Sequence, residues 1–118
     1  MKMKLFIITF FLSASAWSCT SLKYKEKFIA SSAVPFAKLL DHSMNIMHVN
    51  MSTVKINNQN NEKIFLESMI PHHQGAVDMA NSIIVHSTDE VIRNYAISII
   101  NSQASEIEYM KSLLLKYK

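Results

Sequence analysis

The sequence predicts an all-α protein, an antiparallel three-helix bundle running up-down-up. Three observations carry that expectation. One glycine and two prolines in 118 residues leave few tight turns. Apolar residues recur at alternating steps of three and four along three separate segments. Short polar stretches part those segments, residues 55–61 (KINNQNN) and a second one around Ser87, as antiparallel neighbouring helices require. The chain length suits one small domain.

Taken in order, residues 1–19 read as an export signal. Lys2 and Lys4 form the charged start, Leu5 to Leu12 the apolar run, and Ser13-Ala14-Ser15-Ala16 the small residues before a cleavage point. The run is shorter than the roughly 20 residues needed to span a bilayer. Ala14-x-Ala16 offers cleavage after Ala16. Ala16-Trp17-Ser18-Cys19 loosely matches a bacterial lipoprotein box, which makes Cys19 an alternative processing point and a lipid-anchor site. With a single cysteine there is no intrachain disulfide. Residues 20–35 are polar and mixed, and are expected to form a tether that ends at Pro35.

The helical domain is expected over 36–118. In the first helix Ala37, Leu40, Met44, Met47, Met51 and Val54 form one apolar seam. The second is expected from about Glu62 to Val85, with Phe65, Leu66, Met69, Ala76, Ala80, Ile83 and Ile84 on one face. Ser87-Thr88-Asp89-Glu90 reads as a capping box that opens the third. The stripe of that helix is Ile92, Ala96, Ile99, Ile100, Ile107, Met110 and Leu114. A bundle of about 80 residues is marginal by itself, which favours completion by a homodimer.

The core stripe carries polar groups. At about 100° per residue, His72 and His73 fall on either side of Met69 and Ala76, so both are expected on the core face. Gln103 and Glu106 fall on the third stripe. Burying any of these unpaired would cost a few kcal/mol each. Folding the helices back about the two turns places Gln103 and Met44 opposite His72, and Glu106 and Met47 opposite Met69. Met44, Met47, His48, Met69, His72, His73, Gln103 and Glu106 then share one level. Pro71 is expected to kink the helix and aim both rings inward, unless the helix starts there and Met69 lies in a loop. Gly75 allows close helix approach.

Imidazole with thioether suits a soft ion, and in an exported protein copper comes first, as Cu(I); Cu(II) and zinc are the alternatives. The candidate ligands are His72, His73, Met69, Met44, Met47 and His48, with Met79 and Met110 further along, and Gln103 and Glu106 as hydrogen-bonding support. His42 and His86 read as surface residues. Absence of Glu-x-x-His disfavours a di-iron site, and no residue set suggests turnover, so an enzyme is not expected. A formal charge of +3 with scattered lysines is too weak for nucleic-acid binding. The competing reading is a helical envelope interaction module whose polar belt satisfies itself without metal.

Met69-Ile70-Pro71-His72-His73-Gln74-Gly75-Ala76-Val77-Asp78-Met79-Ala80 resembles the signature of the bacterial domain-of-unknown-function 305 family. Gln103-Ala104-Ser105-Glu106-Ile107-Glu108-Tyr109-Met110 resembles its second motif, and Met44, Met47 and Met51 its Met-rich first helix. The resemblance implies an exported, ferritin-like helical bundle. A CopM-type member is a periplasmic copper-binding protein, which implies copper here, with buffering or carriage in copper resistance as the expected role. Some members carry a duplicated unit where this chain has one, a further reason to expect a homodimer. The sequence names no protein partner.

Overall fold

A computed structural model describes residues 27–56 and 60–117. Among them the chain is all-helical: α1 (Phe36–Ser52), α2 (Asn61–Ile84) and α3 (Glu90–Leu114), closed by a short 3-10 turn, Leu115–Tyr117. The expected export signal and the Cys19 anchor lie outside the described residues. No described helix is long and apolar enough to cross a membrane.

Local chemistry sets each helix start. The first-turn N–H groups of a helix have no partner within it and need an acceptor from outside. Asn60 supplies one to α2, its side chain accepting from Glu62 N at 2.9 Å and Lys63 N at 3.3 Å. Asp89 supplies one to α3, with Oδ1 accepting from Val91 N at 2.8 Å and Ile92 N at 3.2 Å. The cap is therefore Asp89 and not Ser87, whose Oγ instead accepts from Asp89 N at 3.1 Å. α1 has no side-chain cap and starts behind Pro35, whose fixed φ is already compatible with a helix entry. Helix α2 passes through Pro71 without starting there, so Met69 is helical.

α2 packs on both α1 and α3. Between α2 and α3 the core is Leu66, Ile107 and Met110, with Met69, Ile70, Leu113, Leu114 and Tyr117 against it. Between α1 and α2 the contact is built from small residues. Ser43 and Ser82 are fully buried, each hydroxyl donating to a carbonyl of its own helix, Leu40 O and Asp78 O, at 2.9 Å. Gly75 is the third: a Cβ there would fall 2.7 Å from Met47 Sδ and 3.0 Å from its Cγ.

Several sequence expectations shift here. The buried line of α1 runs one residue earlier than expected, through Leu39 and Ser43 in place of Leu40 and Met44. Phe65 and Ile92, expected inside, are exposed. Met47 meets Gly75 instead of Met69, six residues further along α2, so Met44 does not sit opposite His72 as the fold-back estimate had it. The last part of the expected tether is fastened to the helices. Phe28 lies 5.9 Å from the His42 ring, and Val34 O bonds His86 Nε2 at 2.8 Å.

Candidate metal centre on the flank of the middle helix

The two histidines do different things. Consecutive helical residues point about 100° apart, so a pair cannot share one buried direction. His73 turns toward α3 and is half-buried, while His72 is exposed, contrary to the expectation that both face the core. Their ring centroids are 6.1 Å apart.

Both nitrogens of His73 are engaged. Nδ1 lies 3.0 Å from Met69 O, which can only accept, so Nδ1 carries the proton in that bond. Nε2 lies 2.7 Å from Glu106 Oε2. Glu106 is held in turn by Ser102 Oγ, which donates to Oε1 at 3.3 Å, and its side chain is half-exposed. Glu106 thus faces His73, one turn along α2 from Met69, the residue the fold-back estimate had set opposite it. A ring nitrogen donating to a carbonyl is also how ligating histidines are oriented, but the other nitrogen of His73 is held by Glu106, and an ion reaches it only by displacing that carboxylate.

The remaining candidates are spread around this pair. Met69 is half-buried against the Leu66–Ile107–Met110 cluster, and Met110 is buried within it. Met79 and Gln103 are half-buried. On α1, Met47 is half-buried on Gly75, while Met44 and His48 are exposed. Among the described residues, no three His, Cys, Asp or Glu side chains gather as an ion site.

Two histidines read as surface residues are structural. His86 Nδ1 lies 2.9 Å from Ser82 O and Nε2 2.8 Å from Val34 O, so the ring ties the chain ahead of α1 to the end of α2. His42 is half-buried, and its charge acts on Asp78. Asp78 itself went unassigned in the sequence. It is buried, accepts from Gln74 Nε2 at 2.9 Å, and has its carboxyl pushed above the ordinary value by burial, opposed by the Gln74 bond and by His42. The seven-residue spacing of Ser68, Gly75 and Ser82 along α2 was the available signal for a close-packed seam on this side.

The family model described as Domain of unknown function (DUF305) matches residues 23–114, which contain all three helices and the His pair. The chain belongs to this family. It is also similar to an uncharacterized protein of Acanthamoeba polyphaga mimivirus, 42% identical over 53 residues, which is 45% of this chain. The chain spans about a third of that curated relative, 35% of its length.

Proposed function

We propose that this family member is an exported copper-binding protein that buffers or carries Cu(I), in the periplasm or anchored to the envelope, in copper resistance. The observation that carries the reading is the His73 arrangement. Its Nδ1 is committed to a backbone carbonyl, which leaves Nε2 as the nitrogen an ion would take from Glu106, and the exposed His72 ring stands 6.1 Å away. Two imidazoles are thus within reach of one ion entering from solvent, with Met69 in the same turn. Met69 O holds Nδ1 as the supporting bond, Glu106 is the group an ion at Nε2 would displace, and Gln103 lies one turn before it on α3. Soft thioethers favour Cu(I) over Cu(II) or zinc.

The helices are proposed to run up-down-up in a ferritin-like bundle. Three pairings support this: Phe36 with His86, Met47 with Gly75, and His73 with Glu106. In that arrangement Met51, which is half-buried, comes roughly level with His72, and Met44 sits about two turns away beside Met79. Met44, Met47, His48 and Met79 then line the flank as a path or a second position, and Met110 ligates only by leaving the core. Pairing of two copies would cover exposed Phe65, Tyr95 and Tyr109. The role is binding and transfer, with no catalytic step.

A second reading is an interaction module without metal. It is favoured by one fact: Glu106 and Met69 O already satisfy His73. Metal analysis of protein isolated from the cell envelope separates the two. Copper bound at one or more equivalents supports the first reading, and metal-free protein that stays metal-free on exposure to Cu(I) supports the second.

A further inference from the structure

On the other side of α2 lies a groove that the copper reading leaves unused. Glu67, Ile70, Pro71, Gln74, Asp78 and Asn81 recur along one face of the helix, roughly half a turn round from Met69, His72 and Met79. Together with residues of α1 and α3 they wall a cavity of about 980 Å³. That is the upper end of the range for small-molecule sites, and too little for a packed helix.

The groove is chemically polarised. Its floor is aliphatic, made by Ile46 and Val54 of the first hairpin, Ile70 of α2, and Ile107 and Leu114 of α3. One end carries Lys55, just past α1, Lys63 in the first turn of α2, and Lys111 in the last turns of α3. The three helix ends bring these ammonium groups to one cavity without a matching cluster of acids. Lys111 is 2.7 Å from Glu108 in an exposed pair, which exchanges readily for another anion, and Lys63 is 3.9 Å from Glu67 in a half-buried pair, too long for a hydrogen bond. No bond of Lys55 occurs among the described residues. The far end is lined by the amides Gln74 and Asn81 beside Asp78, with Phe28 and Lys27 of the segment ahead of α1 completing the wall, so three of the four lysines lie at the first end.

We propose that this groove binds a single-chain anionic amphiphile, its tail along the Ile46–Ile70–Ile107–Leu114 floor and its head among Lys55, Lys63 and Lys111. The lysine stems cover apolar surface while their ammonium groups stay in water, the arrangement that suits an acyl chain ending in a charge. A free fatty acid and a lysophosphatidic acid share this chemistry. The inference does not depend on copper.

The test is calorimetric titration of the full chain with palmitate, lysophosphatidic acid and neutral monopalmitoylglycerol, each below its micellar concentration. The expected result is saturable one-to-one binding of at least one anion, with the neutral lipid at least tenfold weaker. The stronger anion identifies the head, carboxylate or phosphate. Lys55→Glu/Lys111→Glu alters only exposed side chains, and unchanged helical circular dichroism verifies its fold. It should weaken anion binding at least tenfold and leave the neutral lipid unaffected. Ile46→Asp should weaken all three. No binding of either anion by the parent would overturn the proposal, including the case in which a second copy covers the groove. So would anion binding that ignores the lysine reversal, or a neutral lipid that binds as tightly as palmitate.

Discussion

Replacing Gly75 with Ala tests how α1 and α2 meet. In an isolated helix that change gains about 1 kcal/mol, because alanine loses less backbone entropy. Here the new Cβ would stand 2.7 Å from Met47 Sδ, 3.0 Å from Cγ and 3.1 Å from Cβ. Comfortable carbon separations start near 3.5 Å, so Met47 or the whole of α1 must retreat by roughly half an ångström. The sulfur can swing away, but Cβ is fixed to the α1 backbone. Overpacking of this kind costs about 1–3 kcal/mol. The net expectation is destabilisation by about 1 kcal/mol, against the direction of helix propensity. Met47→Ala alone should cost about 1–2 kcal/mol, the low end of large-to-small changes, since the side chain is only half-buried. Combined, the added methyl occupies space that Met47 vacates, so the double variant should be more stable than the two single costs predict, by about 1–2 kcal/mol. Urea unfolding followed at 222 nm resolves such differences. A Gly75→Ala protein more stable than the parent, with costs that simply add in the double variant, would refute the close approach of α1 at this glycine.

Three further outcomes follow from other parts of the fold. Asp89→Ala removes the side-chain cap of α3 and should cost about 1 kcal/mol in urea unfolding, whereas Ser87→Ala should cost clearly less. His86→Ala loses bonds to Ser82 O and Val34 O and should cost about 1–2 kcal/mol; limited proteolysis should then cut near residues 31–35 faster. Asp78→Asn keeps an acceptor for Gln74 and removes a buried charge. Because folding raises the Asp78 pKa, the stability tied to its neutral form is present in full below the unfolded value of 3.8 and is lost as pH rises through the folded value. Thermal melts should therefore show the variant gaining on the parent as pH rises from about 3 toward neutrality, and a constant difference across that range would contradict the assignment.

The helices were legible because their cues are local. Apolar spacing, the polar loop at 55–61 and the Ser87–Glu90 stretch before α3 each act within one turn of chain, although within that stretch the cap is Asp89 and not the Ser87 of a capping box. The core face of α1 was misplaced because Met44 outweighs Ser43 on any hydrophobic scale. Yet Ser43 is the buried residue, its hydroxyl spent on its own helix. Close helix contact selects small side chains, and hydrophobic patterning is blind to that. The same blindness hid Ser82 and Asp78. The error in register came from treating the 55–61 loop as a symmetric turn, which misaligned the Met-rich helix against the His pair by six residues. In the candidate site, the pairing of His73 with Glu106 was nearly readable from the motif spacing. The exposure of His72 was not, because a stripe wide enough to include both histidines cannot say which one turns outward.

The central claim is that His72 and His73 bind Cu(I), and the most direct measurement is the thermal melt of the parent and of His72→Ala/His73→Ala, each with and without Cu(I). An ion that binds only the folded state adds RT ln(1 + [L]/Kd), about 2.7 kcal/mol at a hundredfold excess over Kd. The apo double variant should melt near the parent, since the Glu106 it leaves behind is half-exposed and can be hydrated. Cu(I) should raise the parent's melting temperature by several degrees, more than zinc does, and the double variant should lose most of that rise. A parent melt that ignores Cu(I), or a rise that survives loss of both histidines, would contradict the claim.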